Sequence, residues 1–243
     1  ARKQILLAFE QSEKEVADLH QRTREGIETA RLNGKQIGLP AGLQNGIFQV
    51  ANLFIQAGVN TFDATMVAGN SAAANADALL YDSMAAFYTA CGSFMGQNYG
   101  AGKRKRVKNS YLISLAYSFG IGLVGGICLV IFGRQFLGLF TNDAAVIDAG
   151  MKRLTIMGFS YGFSAFMDAS IAASRALGKS FVPTITVILG SCVFRMIWVN
   201  TVFAYFRTIP SLYLLYIFSW GITATVEIIY FIHVYKNTKI GIA

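Results

Sequence analysis

Between Lys35 and Lys236 the sequence alternates long apolar stretches with short polar connections, after an opening segment that is charged throughout. Six stretches are long enough to cross a membrane as helices, since a helix rises about 1.5 Å per residue and the hydrocarbon core requires roughly 20 residues. They are residues 36–62, 66–98, 109–133, 152–174, 180–206 and 211–235. The pattern predicts an all-α membrane protein in which residues 36–243 form a six-helix transmembrane bundle.

The opening segment, residues 1–35, has a different pattern. A thin apolar stripe at helical spacing runs between its glutamates, lysines and arginines, and the stripe consists of Ile5, Phe9, Val16, Leu19 and Ile27. This spacing predicts a charged amphipathic helix, which we place in the cytoplasm. Periodicity alone leaves open whether it is a free cytoplasmic helix, an interfacial helix or part of a coiled coil.

Positive charge is concentrated in alternate connections. Of the 21 lysines and arginines, 16 lie in the opening segment, after the second and fourth spans, and after the last span. The connections on the other side hold four, which are Arg134, Lys152, Arg153 and Arg207. Because cytoplasmic connections of membrane proteins are enriched in lysine and arginine, both termini are expected in the cytoplasm. The net charge of +8 is therefore interpreted as a topology signal, and we expect no nucleic-acid partner.

The first span carries a polar stripe along one helix face. Its members are separated by three or four residues and are all amides: Asn45, Gln49, Asn52, Gln56 and Asn60. Amides that face lipid would lack hydrogen-bond partners, so this face is expected to meet other helices or water. Two interpretations stay open, which are hydrogen bonding between helices and the lining of a substrate cavity.

The second span contains a group of polar side chains that are candidates for the same cavity. They are Asn75, Asp77, Tyr81 and Asp82. Asp77 and Tyr81 are about one helical turn apart, whereas Asp77 and Asp82 point in different directions. Burying a carboxylate in a membrane is costly, so each needs water or a partner. For Asp82, capping of local structure and contact with water both stay open.

Three other ionisable residues lie deep inside predicted spans. Asp168 is the one charged residue between residues 154 and 174, and Arg195 and Glu227 lie in the last two spans. Intramembrane charges mark ion or substrate pathways more often than they mark ordinary packing, although a structural carboxylate with a nearby donor is the alternative for Asp168. Helical rise places Arg195 and Glu227 at different depths, so we do not expect them to pair directly.

Glycines at a spacing of four residues indicate close helix contacts. Gly122 and Gly126 in the third span repeat the small-residue pattern that lets membrane helices approach one another. Gly38, Gly42 and Gly46 show the same spacing at the start of the first span. The sequence therefore predicts close contacts at both places.

Four motifs resemble segments of one transporter family. In chain order they are Gly38-Leu39-Pro40-Ala41-Gly42-Leu43-Gln44, Val67-Ala68-Gly69-Asn70, Gly96-Gln97-Asn98-Tyr99-Gly100-Ala101-Gly102-Lys103, and Met167-Asp168 followed by Arg175-Ala176-Leu177-Gly178-Lys179-Ser180. They resemble the second half of the multidrug and toxic compound extrusion (MATE) transporters. Members of that family have twelve helices in two lobes and exchange drugs or organic cations for Na⁺ or H⁺. The resemblance implies that residues 38–243 are the C-terminal lobe.

The same resemblance implies roles for individual residues. Met167-Asp168 is similar to the tenth-helix position where a carboxylate takes part in cation binding, so Asp168 is the expected ion-coupling residue. Asp77 stands where an acidic cavity residue is often found. The acidic site of the family's seventh helix is not matched, since Gln49 is uncharged, which leaves open whether the coupling ion is Na⁺ or H⁺. The expected function is cation-coupled efflux across a bacterial inner membrane, without another cofactor.

The opening segment resembles a different family. Residues 9–14 and 22–35 are similar to the long helix that follows the catalytic domain of serine recombinases, where it supports dimerisation and approach to DNA. No catalytic domain with a nucleophilic serine accompanies it in this sequence, so recombinase activity is not expected. The alternative for the whole chain is an inactive chimeric fragment with a membrane-tethered DNA-binding or dimerising helix.

The sequence does not favour an enzyme. It contains no nucleophile with a neighbouring base, no metal-ligand spacing and no phosphate-binding loop. Cys91, Cys128 and Cys192 lie within apolar runs and are expected to pack there. The expected partners are membrane lipid, small-molecule drugs or organic cations, and either the missing N-terminal lobe or a second copy of this chain.

Overall fold

The computed structural model describes residues 39–240, with side chains from residue 46 onward. Helices account for most of this part: α1 (Leu39–Val59), α2 (Ala64–Gly100), α3 (Arg104–Leu137), α4 (Ala144–Gly158), α5 (Tyr161–Ala176), α6 (Phe181–Phe206) and α7 (Ile209–Asn237). These residues contain no strand, which confirms the predicted all-α class. The predicted opening helix, the recombinase-like segment and the side chain of Asn45 lie outside the described residues.

Local sequence signals start several helices after short connections. Asp63 caps α2 by accepting a hydrogen bond from the backbone amide three residues later, at 2.8 Å. Asp143 caps α4 in a similar way, and Thr208 and Ser211 form a reciprocal capping box at the start of α7. These side chains satisfy amides that the first helical turn leaves without partners. The connections therefore stay short, which places consecutive helices side by side.

Contacts between distant parts of the chain define two ends of the bundle. At the end with the α2–α3 connection, called the Gly102 end, Arg104 donates to the backbone carbonyls of Tyr235 and Thr238 at 2.9 and 3.1 Å. At the opposite Asp63 end, the start of α2, the start of α7 and part of α4 line a common cavity of 290 Å³. The helices α2 and α7 therefore run in the same direction.

The predicted fourth span consists of two helices. α4 ends at Gly158, α5 begins at Tyr161, and Ser160 lies in the turn between them. The Ser160 amide and hydroxyl both donate to the carbonyl of Met157, at 2.8 and 2.6 Å. A hydroxyl that bonds locally to the backbone competes with regular helical hydrogen bonding, which accounts for a break at this serine.

The helices differ in their suitability to cross a membrane. Within the described residues, α3, α6 and α7 are long and apolar enough to do so by length and composition. α4 and α5 have only 15 and 16 residues, so each is too short alone. α2 has 37 residues, but its apolar side chains are interrupted by serine, asparagine and aspartate. Hydrophobicity is thus unevenly shared within the bundle.

Glycines bring α3 close to the α4–α5 turn. A methyl group on Gly126 would lie 1.9 Å from the carbonyl oxygen of Gly158, and one on Gly122 would lie 3.0 Å from the Met84 side chain. The predicted close contact of the third span is therefore confirmed. Gly46 has no neighbour within 4 Å of such a methyl group among the described residues, so the predicted close contact of the first span is not seen there. The packing around residues 38 and 42 lies outside the described part.

α6 is an irregular helix. Two π-helical turns, Ile188–Val193 and Val199–Phe203, flank a short α-helical segment, Phe194–Trp198. π-Helical turns are rare and are found often at functional sites, because the extra residue redirects nearby side chains. Arg195 lies between the two turns and is buried in the bundle.

Candidate ion and substrate site

The carboxylate of Asp168 lies between α5 and α2. The hydroxyl of Tyr81 on α2 donates a hydrogen bond to Oδ2 of Asp168 at 2.7 Å. A hydrogen bond to an ionised acceptor is shorter and stronger than one between neutral groups. Asp168 as a whole residue is half-buried, and the surrounding helices remove much of the water around its carboxylate. The fold therefore brings together two of the predicted site residues from different helices.

A permanently charged guanidinium acts on this pair. Arg195 exerts an electrostatic influence on both Asp168 and Tyr81, although it forms no ion pair with Asp168 within the described residues. Arginine keeps its charge in proteins at all ordinary pH values. Arg175 of α5 also acts on Asp168, so the site combines one carboxylate that can change its charge with two guanidinium groups that cannot.

Aromatic rings surround the Arg195 guanidinium. Its central carbon lies 4.6, 5.1 and 6.0 Å from the ring centres of Tyr216, Phe48 and Trp220. Its Nε donates to the hydroxyl of Ser219 at 3.1 Å, whereas its Nη2 has no hydrogen-bond partner. Cation–π contacts offset part of the lost hydration. One hydrogen-bond donor of this buried cation nevertheless remains unsatisfied.

A second polar cluster joins α2, α4, α5 and α7 nearer the Asp63 end. Arg153 donates hydrogen bonds to Asn70 and Asp77, and the Tyr161 hydroxyl donates to the other oxygen of Asp77. Tyr213 donates to Asn70 at 2.6 Å, and its ring centre is 5.3 Å from the Arg153 guanidinium. The side chains of Arg153 and Asp77 are 10% and 15% exposed. The Asp77 carboxylate, predicted to face the cavity, is thus engaged in a largely buried ion pair.

The amide stripe of α1 faces away from the bundle. Three of its four described members are exposed and the last is half-buried: Gln49, Gln56, Asn60 and Asn52. Gln56 donates to Asn60 within the stripe at 2.9 Å, and no amide of the stripe bonds to another helix in the described part. The opposite face of α1 packs Ile55 and Val59 against Leu212 of α7. Hydrogen bonding between helices of this chain therefore does not explain the stripe, and cavity lining stays a prediction.

The other predicted site residues lie in three different environments. Asn75 is exposed and donates to the backbone carbonyl of Ser71 at 3.2 Å. Asp82 is exposed on α2, on a different face from Asp77. Glu227 is fully buried in α7, and neither of its carboxylate oxygens has a hydrogen-bond partner. Among the described residues, Glu227 and Arg195 do not form an ion pair.

The arrangement presents one carboxylate, that of Asp168, as a candidate site for a small cation. No group of three His, Cys, Asp or Glu side chains in the described residues could hold a metal ion. A carboxylate in partly dry surroundings can take up a proton or Na⁺ and release it when its hydration changes. Asp168 is in this situation, while the charge of Arg195 opposes a second cation beside it.

Two residues of the Asp77 cluster, Arg153 and Tyr161, were not expected from the sequence. Lys152 and Arg153 both resemble charges of a connection, but the structure places both in α4. Successive side chains of a helix diverge by about 100°, so Lys152 is exposed and Arg153 is buried. Tyr161, the second unexpected residue, follows the helix break. A buried Asp77 needs a positively charged partner, and this requirement was the signal in the sequence that pointed to Arg153.

Comparisons with known proteins identify relatives of this chain. The MatE family model matches residues 40–206. The probable multidrug resistance protein YpnP of Bacillus subtilis (strain 168) is 28% identical over 128 residues, which are 53% of this chain and 29% of that protein. The FAD transporter of Shewanella oneidensis is 29% identical over 126 residues, 52% of this chain and 28% of that protein.

Solved structures share the fold of this chain. A MOP superfamily transporter from Pyrococcus furiosus superposes with a TM-score of 0.74 at 19% identity, over 83% of this chain and 46% of that one. The MATE transporter ClbM, solved in complex with Rb⁺, gives a TM-score of 0.64 at 21% identity, over 89% of this chain and 49% of that one. This chain therefore spans about half the length of these structures. The predicted fold class, a MATE-type transmembrane lobe, is confirmed.

Proposed function

The chain belongs to the MATE family of membrane transporters, and on that premise we propose that it is one lobe of a cation-coupled antiporter that exports drugs or organic cations. The observation that carries the proposal is the pair formed by Asp168 and Tyr81, in which the carboxylate of a half-buried aspartate accepts a hydrogen bond between two helices. Na⁺ or H⁺ binds at Asp168 and is exchanged for the exported compound. Members of this family are transporters, and we assign the chain no enzymatic step.

The exposed amides of α1 supply the substrate-facing wall in this proposal. Gln49, Gln56 and Asn60 offer donors and acceptors without a fixed charge, which suits compounds of varied structure. Their exposure leaves them free to meet a second lobe, which is either an N-terminal lobe or another copy of this chain. Alternating access then consists of rocking of one lobe against the other around the enclosed site.

The Gly102 end is cytoplasmic in this proposal, because the basic cluster between α2 and α3 lies there. Single cysteines test the orientation in whole cells, with Cys128 replaced by alanine to remove the exposed native thiol. A membrane-impermeant maleimide is expected to label Asn142→Cys at the Asp63 end and to leave Lys103→Cys unlabelled until the cells are opened. The reverse pattern would contradict the orientation.

Transport is tested with the chain reconstituted in liposomes that contain a fluorescent organic cation. An imposed Na⁺ or pH gradient is expected to drive efflux, and Asp168→Asn is expected to abolish it. Asp82→Asn is the matched control, because it removes an exposed carboxylate of α2 that takes no part in the hydrogen bond between Tyr81 and Asp168. Equal rates with and without gradients would exclude antiport by this chain alone. Crosslinking before the assay determines whether active samples contain two copies.

A second candidate substrate class is an anionic aromatic compound. Arg195 favours it, because this permanent cation is enclosed by aromatic rings and has one unsatisfied donor. The FAD transporter among the relatives carries a substrate of that kind by its name. Uptake of flavin adenine dinucleotide and of the fluorescent cation is compared in wild type, Arg195→Lys and Arg195→Gln. Loss of flavin transport alone in Arg195→Gln would favour the anion, and loss of neither would exclude Arg195 from substrate binding.

A further inference from the structure

We propose that Glu227 is a proton-binding site, distinct from Asp168, in the half of the bundle nearer the Gly102 end. The carboxylate is completely buried in α7, and both of its oxygens lack a hydrogen-bond partner. An ionised carboxylate without donors is very costly in a membrane interior, whereas the protonated acid is neutral. The inference goes beyond export, since proton binding at this position does not require that the chain transport any compound.

The face of α7 that carries Glu227 packs on α5. Phe231 and Val234 follow Glu227 at helical spacing and belong to one apolar cluster with Ala173 and Leu177 of α5. This cluster separates the carboxylate from the Gly102 end. Glu227 therefore lies in a helix interface rather than on the lipid-facing surface of α7.

Small polar side chains are buried on the three helices α5, α6 and α7 that pack together here. Thr223, one turn earlier on α7, is 3.2 Å from the hydroxyl of Ser191 on α6. Ser174 of α5 is also fully buried, and its hydroxyl has no hydrogen-bond partner. A buried hydroxyl without a partner, as at Ser174, is a position that an ordered water molecule can satisfy.

The charged groups around Glu227 come from two helices. Arg175 of α5 exerts the largest electrostatic influence on the carboxylate, and Tyr230 lies three residues further along α7. From α6 the Thr186 hydroxyl is the nearest potential donor to the Glu227 carboxylate, although it does not meet the geometry of a formed hydrogen bond. Arg195 is level with Ser219, two turns of α7 away. Arg175 is therefore the cation with the strongest electrostatic influence on Glu227 once the carboxylate has released its proton.

Arg175 also connects this site with Asp168. Both carboxylates act electrostatically on its guanidinium, and Asp168 and Arg175 are two turns apart on α5. Loss of the Glu227 proton increases the negative charge around Arg175, and this changes how strongly Arg175 is attracted to each of the two carboxylates. The site thus provides a physical link between proton occupancy in the α5–α7 interface and the ion site at Asp168.

A proton fits this position better than Na⁺. It neutralises the carboxylate without further ligands, as in the proton relays that intramembrane carboxylates form in transporters. A hard metal cation requires several oxygen ligands, whereas the described surroundings supply the carboxylate and the Thr186 hydroxyl. The positive charge of Arg175 also opposes a metal ion.

Infrared difference spectroscopy of the full chain tests the proposal, in a detergent without ester groups. Exposed aspartates and glutamates are ionised above about pH 6, so the carbonyl stretch that remains there reports on buried acids. Wild type is expected to lose such a band as the pH is raised, and Glu227→Gln is expected to lack that band at every pH. Asp168→Asn assigns any second band, and Asp82→Asn is the control expected to leave the buried-acid band unchanged.

The outcomes separate the possible roles of Glu227. An identical band in wild type and Glu227→Gln would overturn the proposal, since Glu227 would then be ionised throughout. Disappearance of the band on addition of Na⁺ at fixed pH would also overturn it, in favour of a metal-ion site. If Glu227→Gln does not fold, as judged by circular dichroism, Glu227→Asp replaces it and is expected to shift the band without removing it. Absence of transport would not affect this readout.

Discussion

The ion pair between Arg153 and Asp77 provides a quantitative test of what holds the bundle together. Asp77→Asn preserves the shape of the side chain and removes its charge, which leaves Arg153 as a buried cation without a carboxylate partner. Removing one member of a buried ion pair costs about 3–5 kcal/mol. Asn70 still accepts from Arg153, and the Tyr213 ring still lies 5.3 Å from its guanidinium. We therefore expect a loss of about 3 kcal/mol in the free energy of unfolding.

Unfolding in mixed detergent micelles, followed by circular dichroism, measures this loss. The matched control is Asp148→Asn, which removes the carboxylate of another arginine–aspartate pair, Arg134–Asp148, whose side chains are 62% and 55% exposed. An exposed pair contributes about 0–1 kcal/mol, so the control is expected to change stability by at most that amount. The comparison isolates burial, because both variants make the same chemical change.

A double-mutant cycle separates the pair from its surroundings. Arg153→Met combined with Asp77→Asn removes both charges, and the double variant is expected to be more stable than Asp77→Asn alone, because no uncompensated cation remains. The reasoning would be refuted if Asp77→Asn cost no more than Asp148→Asn. It would also be refuted if Asp77→Asn left stability intact and raised only the KM for an exported compound, since Asp77 would then contact substrate.

Two further substitutions test the packing of individual helices. Gly126→Ala is expected to reduce the free energy of unfolding by at least about 2 kcal/mol, because its methyl group overlaps the carbonyl of Gly158. Gly120→Ala places its methyl group in open space and should change the free energy of unfolding by less than about 1 kcal/mol. Equal values in the same unfolding assay would contradict the close contact. Ile55→Ala is expected to destabilise the bundle by about 2–4 kcal/mol, because Ile55 is buried. Gln56→Ala is expected to destabilise it by under about 0.5 kcal/mol, because Gln56 is exposed. The opposite order would mean that α1 is rotated.

The sequence predicted features that depend on periodicity. Regular spacing identified the amide stripe of α1, and the structure places that stripe on one exposed face. The four-residue glycine spacing of α3 likewise indicated the contact at Gly126. The difference in depth between Arg195 and Glu227 followed from helical rise alone, and the two do not pair in the described residues. Such features are local, so one segment of sequence contains the information.

Features that depend on distant partners were harder to predict. Whether Arg153 belongs to a connection or to the interior depends on where α4 begins and on the position of Asp77, 76 residues away. The break at Ser160 and the π-helical turns of α6 also have no clear sequence signal, because serine and β-branched residues occur in regular membrane helices. Tyr81 faces Asp168 because α2 packs against α5, and this packing could not be predicted from either segment alone.

The uneven distribution of apolar residues among the helices affects the synthesis of the lobe. α3, α6 and α7 are apolar enough to leave the translocon for lipid on their own, whereas α2 and the short helices α4 and α5 are not. α3 lies between these polar segments in sequence and contacts α2, α4 and α5 in the bundle. The polar side chains Asn70, Asp77 and Tyr81 of α2 meet their partners on α4, α5 and α7, which are all made after α3. We therefore expect stable insertion of α2 to wait for these later helices, so that ribosome pausing before them would leave α2 exposed to membrane quality control.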